Sequence, residues 1–362
     1  MVKDMPQREE KSQILYLDLL RGVAAICVLL LHWFSGHGSS LFGSSVLAVD
    51  FFFMLSGFVI SYSYCDRFRN GYSFGKYMKH RFVRLYPLIV LGLIFGLIRN
   101  MLRDYVENGQ FISGELFTQF LLSIFFIPTN PTQGLDLLYP LNTPMWSLLF
   151  EFVAYIAYGL FIFKLSNKFL LLLVGLLSVV LASWLMMKFG DNGSWWLINA
   201  EHPEGLLYGL GRVGVAFILG TLIHRSSNNL VFKDYALLRY LLLGVFVSIL
   251  ALPQDVVSPL VAGLIIFFFF PVVIITSLNT ELSIPLKKLS CILGDISFPL
   301  YIIHVPLIWS FSGVLKMFDA NESLEPVYVR IFVLPVVIVI SYVVFHLYEK
   351  PMRKKLTVQQ NK

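Results

Sequence analysis

The sequence predicts an all-α polytopic membrane protein, and three observations support that fold class: a low charge content, recurring apolar runs and the placement of Lys and Arg. Charged residues make up 14% of the 362-residue chain and hydrophobic residues 57%, with a mean hydropathy of +0.74. Soluble globular domains hold about 25% charged residues. The apolar runs continue to the C-terminus, so we expect residues 1–362 to form one integral-membrane domain, with spans from about residue 14 to 349 and short tails.

Ten segments are apolar over roughly the 20 residues that a membrane-spanning helix requires. They cover residues 14–34, 46–64, 86–102, 145–163, 169–187, 206–224, 236–252, 259–278, 297–315 and 328–348. The first is not a signal peptide, because Asp18 and Arg21 interrupt its apolar region and no small-residue cleavage site follows. An eleventh stretch, residues 116–127, is shorter, and we expect it to be re-entrant or interfacial.

The distribution of basic residues orients these spans. The connection at residues 66–84 carries six Lys or Arg, whereas residues 35–45 carry none. Because cytoplasmic loops are enriched in Lys and Arg, we expect both termini in the cytoplasm. The net charge of +6 is then accounted for by topology, and no nucleic-acid partner is predicted. The three cysteines are scattered, which indicates neither a disulfide framework nor a metal site.

Ionisable residues within the spans are the first candidates for chemistry, because burying them in lipid is costly. In the first span, Arg21 and His32 are separated by eleven residues, which places them about 20° apart around a helix and about 16 Å apart along it. Asp18 shares that face, and together they predict a polar shaft. Asp50 begins the next span near the depth of His32, and a carboxylate beside an imidazole would favour a general base. Alternatively, His32 and Asp50 only cap their helices.

Polar residues in later spans extend this candidate site. Glu151, five residues after Trp146, lies in the outer half of the fourth predicted span without a local basic partner; it faces either the site or a structural hydrogen-bond network. Tyr301 and His304 share a helix face with Ser297. We place Trp146, Tyr301 and His304 on the substrate side of the site, although His304 fits a packing role equally well.

Arg81 and Arg84 fall on one face where the third span begins, beside Tyr86 and Pro87. Guanidinium groups bind phosphate oxygens in bidentate geometry, so this pair is typical of a pyrophosphate or phosphate site. The alternative is that both arginines only set topology and contact anionic lipid.

Taken together, these motifs resemble the acyltransferase-3 family of bacterial integral-membrane acyltransferases. The resemblance rests on Arg21 with His32, the Asp50-Phe-Phe-Phe-Met-Leu-Ser-Gly-Phe run, Arg81-Phe-Val-Arg84-Leu-Tyr-Pro, Trp146-Ser-Leu-Leu-Phe-Glu151 and Ser297-Phe-Pro-Leu-Tyr301-Ile-Ile-His304. It covers nearly the whole chain. Phe298 stands where many members carry Tyr.

The resemblance implies transfer of an acyl group, most often acetyl, from cytoplasmic acyl-coenzyme A to a hydroxyl of a surface or exported glycan. It further implies a multi-pass protein of the bacterial inner membrane, a catalytic role for Arg21 and His32, and a coenzyme A site at Arg81 and Arg84. Together with the chemistry of these side chains, the resemblance predicts that Asp50 or Glu151 orients His32 and that no metal is needed. A proton-coupled transporter with a buried relay is the alternative, and a non-catalytic regulatory protein is a third possibility.

Overall fold

The computed structural model describes residues 14–35, 38–109, 114–129, 138–189, 205–227, 236–278, 282–318 and 327–358. The predicted tails at residues 1–13 and 359–362 lie outside these ranges. Across them the chain is helical and contains no strand. The helices are α1 (Leu15–Ser35), α2 (Leu47–Arg69), α3 (Phe74–Asn108), α4 (Gly114–Ile124), α5 (Met145–Leu160), α6 (Asn167–Phe189), α7 (Gly205–Ser226), α8 (Ala236–Ala251), α9 (Pro259–Leu264), α10 (Phe270–Ser277), α11 (Ile284–Phe318), α12 (Val327–Val344) and α13 (Lys350–Val358).

The predicted all-α polytopic fold is confirmed. Within the described ranges, eight helical segments are long and apolar enough to span a membrane, and α5 and α8 are shorter apolar helices at two further predicted spans. A π-helical turn joins α9 to α10, and another joins α12 to α13, so each pair forms one continuous segment. The orientation of the termini stays a prediction. The short segment predicted at residues 116–127 is the eleven-residue helix α4.

Helices α3 and α11 both begin well before the spans predicted at residues 86–102 and 297–315. Helix α3 begins at Phe74, twelve residues before the predicted start of the third span, so the basic stretch expected to be a loop is mostly helical. Its Pro87 lies inside the helix, and α11 likewise contains Pro299 and Pro306. Prolines are tolerated inside membrane helices because neighbouring groups satisfy the freed backbone atoms. Arg81 and Arg84 are therefore presented by a helix of fixed geometry.

Small residues bring two helix pairs into close contact. On α1 and α11, a Cβ added at Gly294 would lie 2.7 Å from the Cβ of Asp18. On α2 and α7, a Cβ at Gly220 would overlap the carbonyl oxygen of Met54. Close backbone approach at glycine is a common way to pack membrane helices, where apolar surface gains little by leaving lipid. Three helices of these pairs, α1, α2 and α11, surround the principal cavity together with α3 and α5.

Candidate active site

A cavity lies among α1, α2, α3, α5 and α11, and its empty space of about 810 Å³ includes its open mouth. It follows α2 from Val49 to Ile60, a rise of about 16 Å. Its lining is apolar along most of α2 and polar where the other four helices face it. The polar groups are Arg21, Ser56, Arg81, Arg84, Ser147, Glu151, Tyr155, Ser297 and Tyr301.

One end of the cavity is basic because Arg81 and Arg84 of α3 both line it. The Arg81 guanidinium donates to the Tyr64 hydroxyl at 3.0 Å and lies 5.1 Å from the centre of that ring. Its Nε is buried and has no hydrogen-bond partner among the described residues. Among the described residues neither Arg81 nor Arg84 makes an ion pair and Arg84 makes no hydrogen bond, although the Glu349 carboxylate lies near enough to interact with the charge of Arg84. Guanidinium groups without an ion-pair partner in a cavity favour an anionic ligand.

Arg21 lines the same cavity but is already committed to protein partners. Its Nε donates to Ser297 Oγ at 2.8 Å, its Nη2 donates to the Gly294 carbonyl oxygen at 2.8 Å, and the same nitrogen is 3.1 Å from Asp18. Arg21 therefore fastens α1 to α11 while presenting positive charge to the cavity. Its predicted position at the site agrees with the structure, and its partners show a structural role as well.

Glu151 of α5 also faces the cavity. Its Oε1 accepts hydrogen bonds from Ser56 of α2 and from Tyr155 one turn along α5. Both partners are neutral hydroxyls, so neither of these two hydrogen bonds pairs the carboxylate with a guanidinium group of the cavity. Glu151 makes no hydrogen bond to His32, and the predicted orienting contact between them is absent from the described part of the chain.

Tyr301 of α11 and Phe52 of α2 line the other end of the cavity, and their rings meet edge to face with centres 5.6 Å apart. The Tyr301 hydroxyl is 2.6 Å from Ser147 Oγ. Because Ser147 donates its own proton to the Pro144 carbonyl oxygen, Tyr301 is the donor to Ser147. Tyr301 thus lines the cavity as the sequence predicts, and Ser147 holds its hydroxyl in place.

Just beyond Tyr301, the histidines predicted from two distant parts of the chain meet. His304 Nε2 is 3.2 Å from His32 Nδ1, with the rings edge to face. His304 Nδ1 lies 2.9 Å from the carbonyl oxygens of Leu300 and Tyr301, and His32 Nδ1 lies 3.0 Å from that of Val28.

These partners assign the tautomers of both rings. A carbonyl oxygen only accepts, so His304 carries its proton on Nδ1, and its Nε2 accepts. His32 Nδ1 faces two acceptors and is therefore protonated, which leaves the lone pair of a neutral His32 on Nε2. His304 is fully buried, whereas His32 is partly exposed. The His32 ring is thus held in one orientation by His304 and by its own helix.

The predicted partnership of Asp50 with His32 is wrong. Both carboxylate oxygens of Asp50 accept from Arg212 of α7, at 3.1 and 2.5 Å, and both side chains are almost completely buried. Trp146 joins this pair and not the cavity lining, since its ring centre is 5.7 Å from the Arg212 guanidinium. An ion pair with Arg212 satisfies a buried carboxylate better than a neutral imidazole does.

The polar shaft also takes a different course from the one that the first helix predicts. Ala25 and Val28, which lie on the stripe between Arg21 and His32, are buried in apolar packing. The cavity touches α1 only at Arg21 and runs along α2, α5 and α11. Tyr64, Ser56 and Tyr155 are site residues that sequence reasoning missed. A hydroxyl one turn from Glu151 was a usable signal for Tyr155.

Comparison with known proteins agrees with this architecture. The model of the acyltransferase-3 family, described as an acyltransferase domain, matches residues 14–346. Protein 2 in the picA locus of Rhizobium radiobacter is 32% identical over 183 residues, covering 47% of this chain and 93% of that protein. Acyltransferase MdmB of Streptomyces mycarofaciens is 34% identical over 123 residues, covering 34% of this chain and 29% of that protein. No solved structure matches.

Proposed function

The chain belongs to the acyltransferase-3 family and is a multi-pass membrane acyltransferase, and we propose that it moves an acetyl group from cytoplasmic acetyl-coenzyme A to a hydroxyl of an exported glycan. The observation that carries this proposal is one cavity with two guanidinium groups at one end and the His32–His304 pair just beyond the other. A donor with phosphates at one end of a long arm and a thioester at the other suits that arrangement.

Arg81 and Arg84 hold the donor phosphates at the cavity end that the topology prediction places in the cytoplasm. The pantetheine arm then passes Glu151 and Arg21, and the thioester reaches Tyr301. The donor crosses only part of the membrane, because its arm supplies the reach. Because the phosphates bind at one end and the thioester reacts at the other, Arg81 and Arg84 lie at the opposite end of the cavity from His32.

His32 Nε2 takes the proton of the acceptor hydroxyl as the oxygen attacks the thioester carbonyl carbon. The C–S bond breaks, the thiolate leaves with the bonding electrons, and the proton from the imidazolium converts it to the thiol. An ester and free coenzyme A result. His304 keeps the His32 ring in the reactive tautomer throughout, as its Nε2 accepts from His32 Nδ1.

A transporter relay has less support than this reaction. Such a relay needs ionisable groups that hand protons along a path. Asp50 and Arg212 are instead locked in a bidentate ion pair, and Glu151 is bonded to two neutral hydroxyls. The family to which the chain belongs is described by acyl transfer.

The decisive experiment uses the purified full chain in lipid nanodiscs with radiolabelled acetyl-coenzyme A and glycan extracted from host cells that lack the gene. We expect thiol release and transfer of label to the glycan, both dependent on the two substrates together. His32→Ala should lose at least about 100-fold in kcat, since a general base contributes roughly 10²–10⁴. Absence of label in the glycan with the wild-type chain contradicts the proposal, as does full activity of the variant.

His224 offers the matched control for His32→Ala. It lies in α7, bonded to Ser61 of α2 at 2.8 Å, and does not line the cavity. His224→Ala removes a similar ring from another helix interface, so its kcat should remain near that of the wild-type chain. An equal loss of kcat in both variants would indicate that the effect comes from folding and not from chemistry at His32.

A further inference from the structure

A second cavity, of about 830 Å³, lies at the other end of α3, between α3, α4, α11 and the segment 138–144. It differs from the first in chemistry, because most of its lining is polar. Arg99, Asn100, Arg103 and Asp104 come from α3, Glu115 and Gln119 from α4, and Trp309 from α11. The proposed reaction assigns no role to these residues.

Among the described residues that line this second cavity, two arginines are balanced by two carboxylates. Arg103 pairs with Asp104 at 2.9 Å, and Arg99 donates to the Asn100 amide oxygen at 2.9 Å. Arg99 also lies 5.0 Å from the Trp309 ring centre. A phosphate or carboxylate ligand would meet carboxylates as well as guanidinium groups here, so the cavity suits a neutral ligand.

The hydrogen-bonding groups specify the kind of neutral ligand. Asn100 and Gln119 each offer both donors and acceptors, the arginines offer donors, and Asp104 and Glu115 offer acceptors. A sugar carries hydroxyls that donate and accept around its rim and apolar C–H groups on its ring faces. An indole beside polar groups of both kinds therefore fits a sugar ring.

The position relative to the proposed base is equally informative. Trp309 follows His304 by five residues on α11, which places it about 7.5 Å farther along the helix axis. It packs against the apolar cluster that contains Trp33, the neighbour of His32 on α1. Because α1 and α11 run side by side in the same direction, the second cavity lies beyond the two histidines on the side predicted to face outward.

We propose that this second cavity is a sugar subsite, in which one neutral ring of the acceptor glycan is held so that a neighbouring ring presents its hydroxyl to His32. The inference rests on the proposed acyltransferase function. Helix α4, too short to span a bilayer, then has a defined role as a wall of the acceptor site.

The test measures steady-state transfer from acetyl-coenzyme A to extracted glycan in nanodiscs for Gln119→Ala and Trp309→Ala. Each should raise KM for the glycan about tenfold, the equivalent of about 1.4 kcal/mol, and leave KM for acetyl-coenzyme A unchanged. Trp309→Phe should recover part of the loss, since it retains an aromatic face. The matched control is Thr118→Ala, one residue from Gln119, because Thr118 is exposed, bonds to the Gly114 carbonyl oxygen and does not line the cavity.

The outcomes separate the two proposals. If the wild-type chain transfers no label to glycan, the proposed function fails. If it transfers label but both cavity variants keep the wild-type KM for glycan, the sugar subsite is wrong while the function stands. If the variants change only the dependence of the rate on anionic phospholipid in the nanodisc, the cavity holds a lipid headgroup, which also overturns the inference. Gln119 lies near the surface of α4, so the Gln119→Ala chain should fold. The test therefore remains valid if Trp309→Ala fails to fold.

Discussion

Replacing Arg84 by Lys tests the donor site most directly, because the structure separates binding from stability at this residue. Arg84 lines the cavity and has no hydrogen bond or ion pair within the described residues, so the substitution breaks neither kind of bond to the protein there. It keeps one positive charge and the positive-inside signal but loses the planar fork that grips phosphate. The folded chain should therefore be as stable as the wild type while its affinity for coenzyme A falls.

The expected loss follows from a single charge-assisted hydrogen bond. Such a bond contributes about 1.5–3 kcal/mol, and each 1.4 kcal/mol is a factor of ten in Kd, so Kd for coenzyme A should rise about 10- to 150-fold. Arg81→Lys should weaken binding similarly but also lower the melting temperature, because it breaks the buried bond to Tyr64 at 3.0 Å. The two arginines should thus differ in melting temperature while both substitutions weaken coenzyme A binding.

The assay is isothermal titration of the full chain in nanodiscs with coenzyme A, accompanied by thermal unfolding without ligand. Arg69→Lys is the matched control, since Arg69 ends α2 near the same basic stretch and its side chain is 63% exposed beside Asp66. Wild-type affinity in Arg84→Lys and in Arg84→Gln would refute the phosphate site. The alternative, that both arginines only set the topology and contact anionic lipid, would then explain them.

Three further substitutions test other parts of the structure. His304→Leu should lower kcat at least about tenfold with little change in either KM, whereas His304→Gln should recover activity because its amide oxygen can accept from the base; equal losses would contradict the orienting role. Arg212→Met should cost about 3–5 kcal/mol by leaving Asp50 buried and unpaired, and adding Asp50→Leu should restore part of the melting temperature. Gly220→Ala should lower the melting temperature, because the added methyl group on α7 overlaps α2. Gly175→Ala should not, because a Cβ at that position meets no atom within 4 Å.

Local sequence patterns predict the helices well but fix their ends poorly. The first span was expected at residues 14–34 and is observed at Leu15–Ser35, because its apolar run is flanked by polar residues on both sides. Helix α3 begins twelve residues early, since the charged turns before Pro87 lower the hydropathy without opposing helix formation. Lys, Arg and Met are good helix formers, and hydropathy alone does not register that property.

Sequence patterns likewise predict where some site residues face but not which partners they meet. That Glu151 faces a cavity follows from the cost of ionisable groups in lipid, and that Arg81 and Arg84 share a helix face follows from their spacing; a single sequence reveals both. Partner choice does not follow from it, because His32 meets His304 across 272 positions and Asp50 meets Arg212 across 162. Residue spacing constrains only groups on one helix, and the packing of separate helices decides which charged groups are neutralised by one another.

Product inhibition gives an independent test of how the donor is held. Coenzyme A keeps every phosphate of acetyl-coenzyme A, so contacts at Arg81 and Arg84 should stabilise donor and product equally. Released coenzyme A should therefore compete with acetyl-coenzyme A, and Arg84→Lys should raise the inhibition constant of the product and KM for the donor by the same factor. His32→Ala should change neither constant, because the imidazole acts on the acceptor hydroxyl. Initial rates at several fixed coenzyme A concentrations measure both constants, with the residual activity of His32→Ala followed by radiolabel. A rise in KM without a matching rise in the inhibition constant would place Arg84 at the thioester instead of the phosphates, and the direction of the donor in the cavity would have to be reversed.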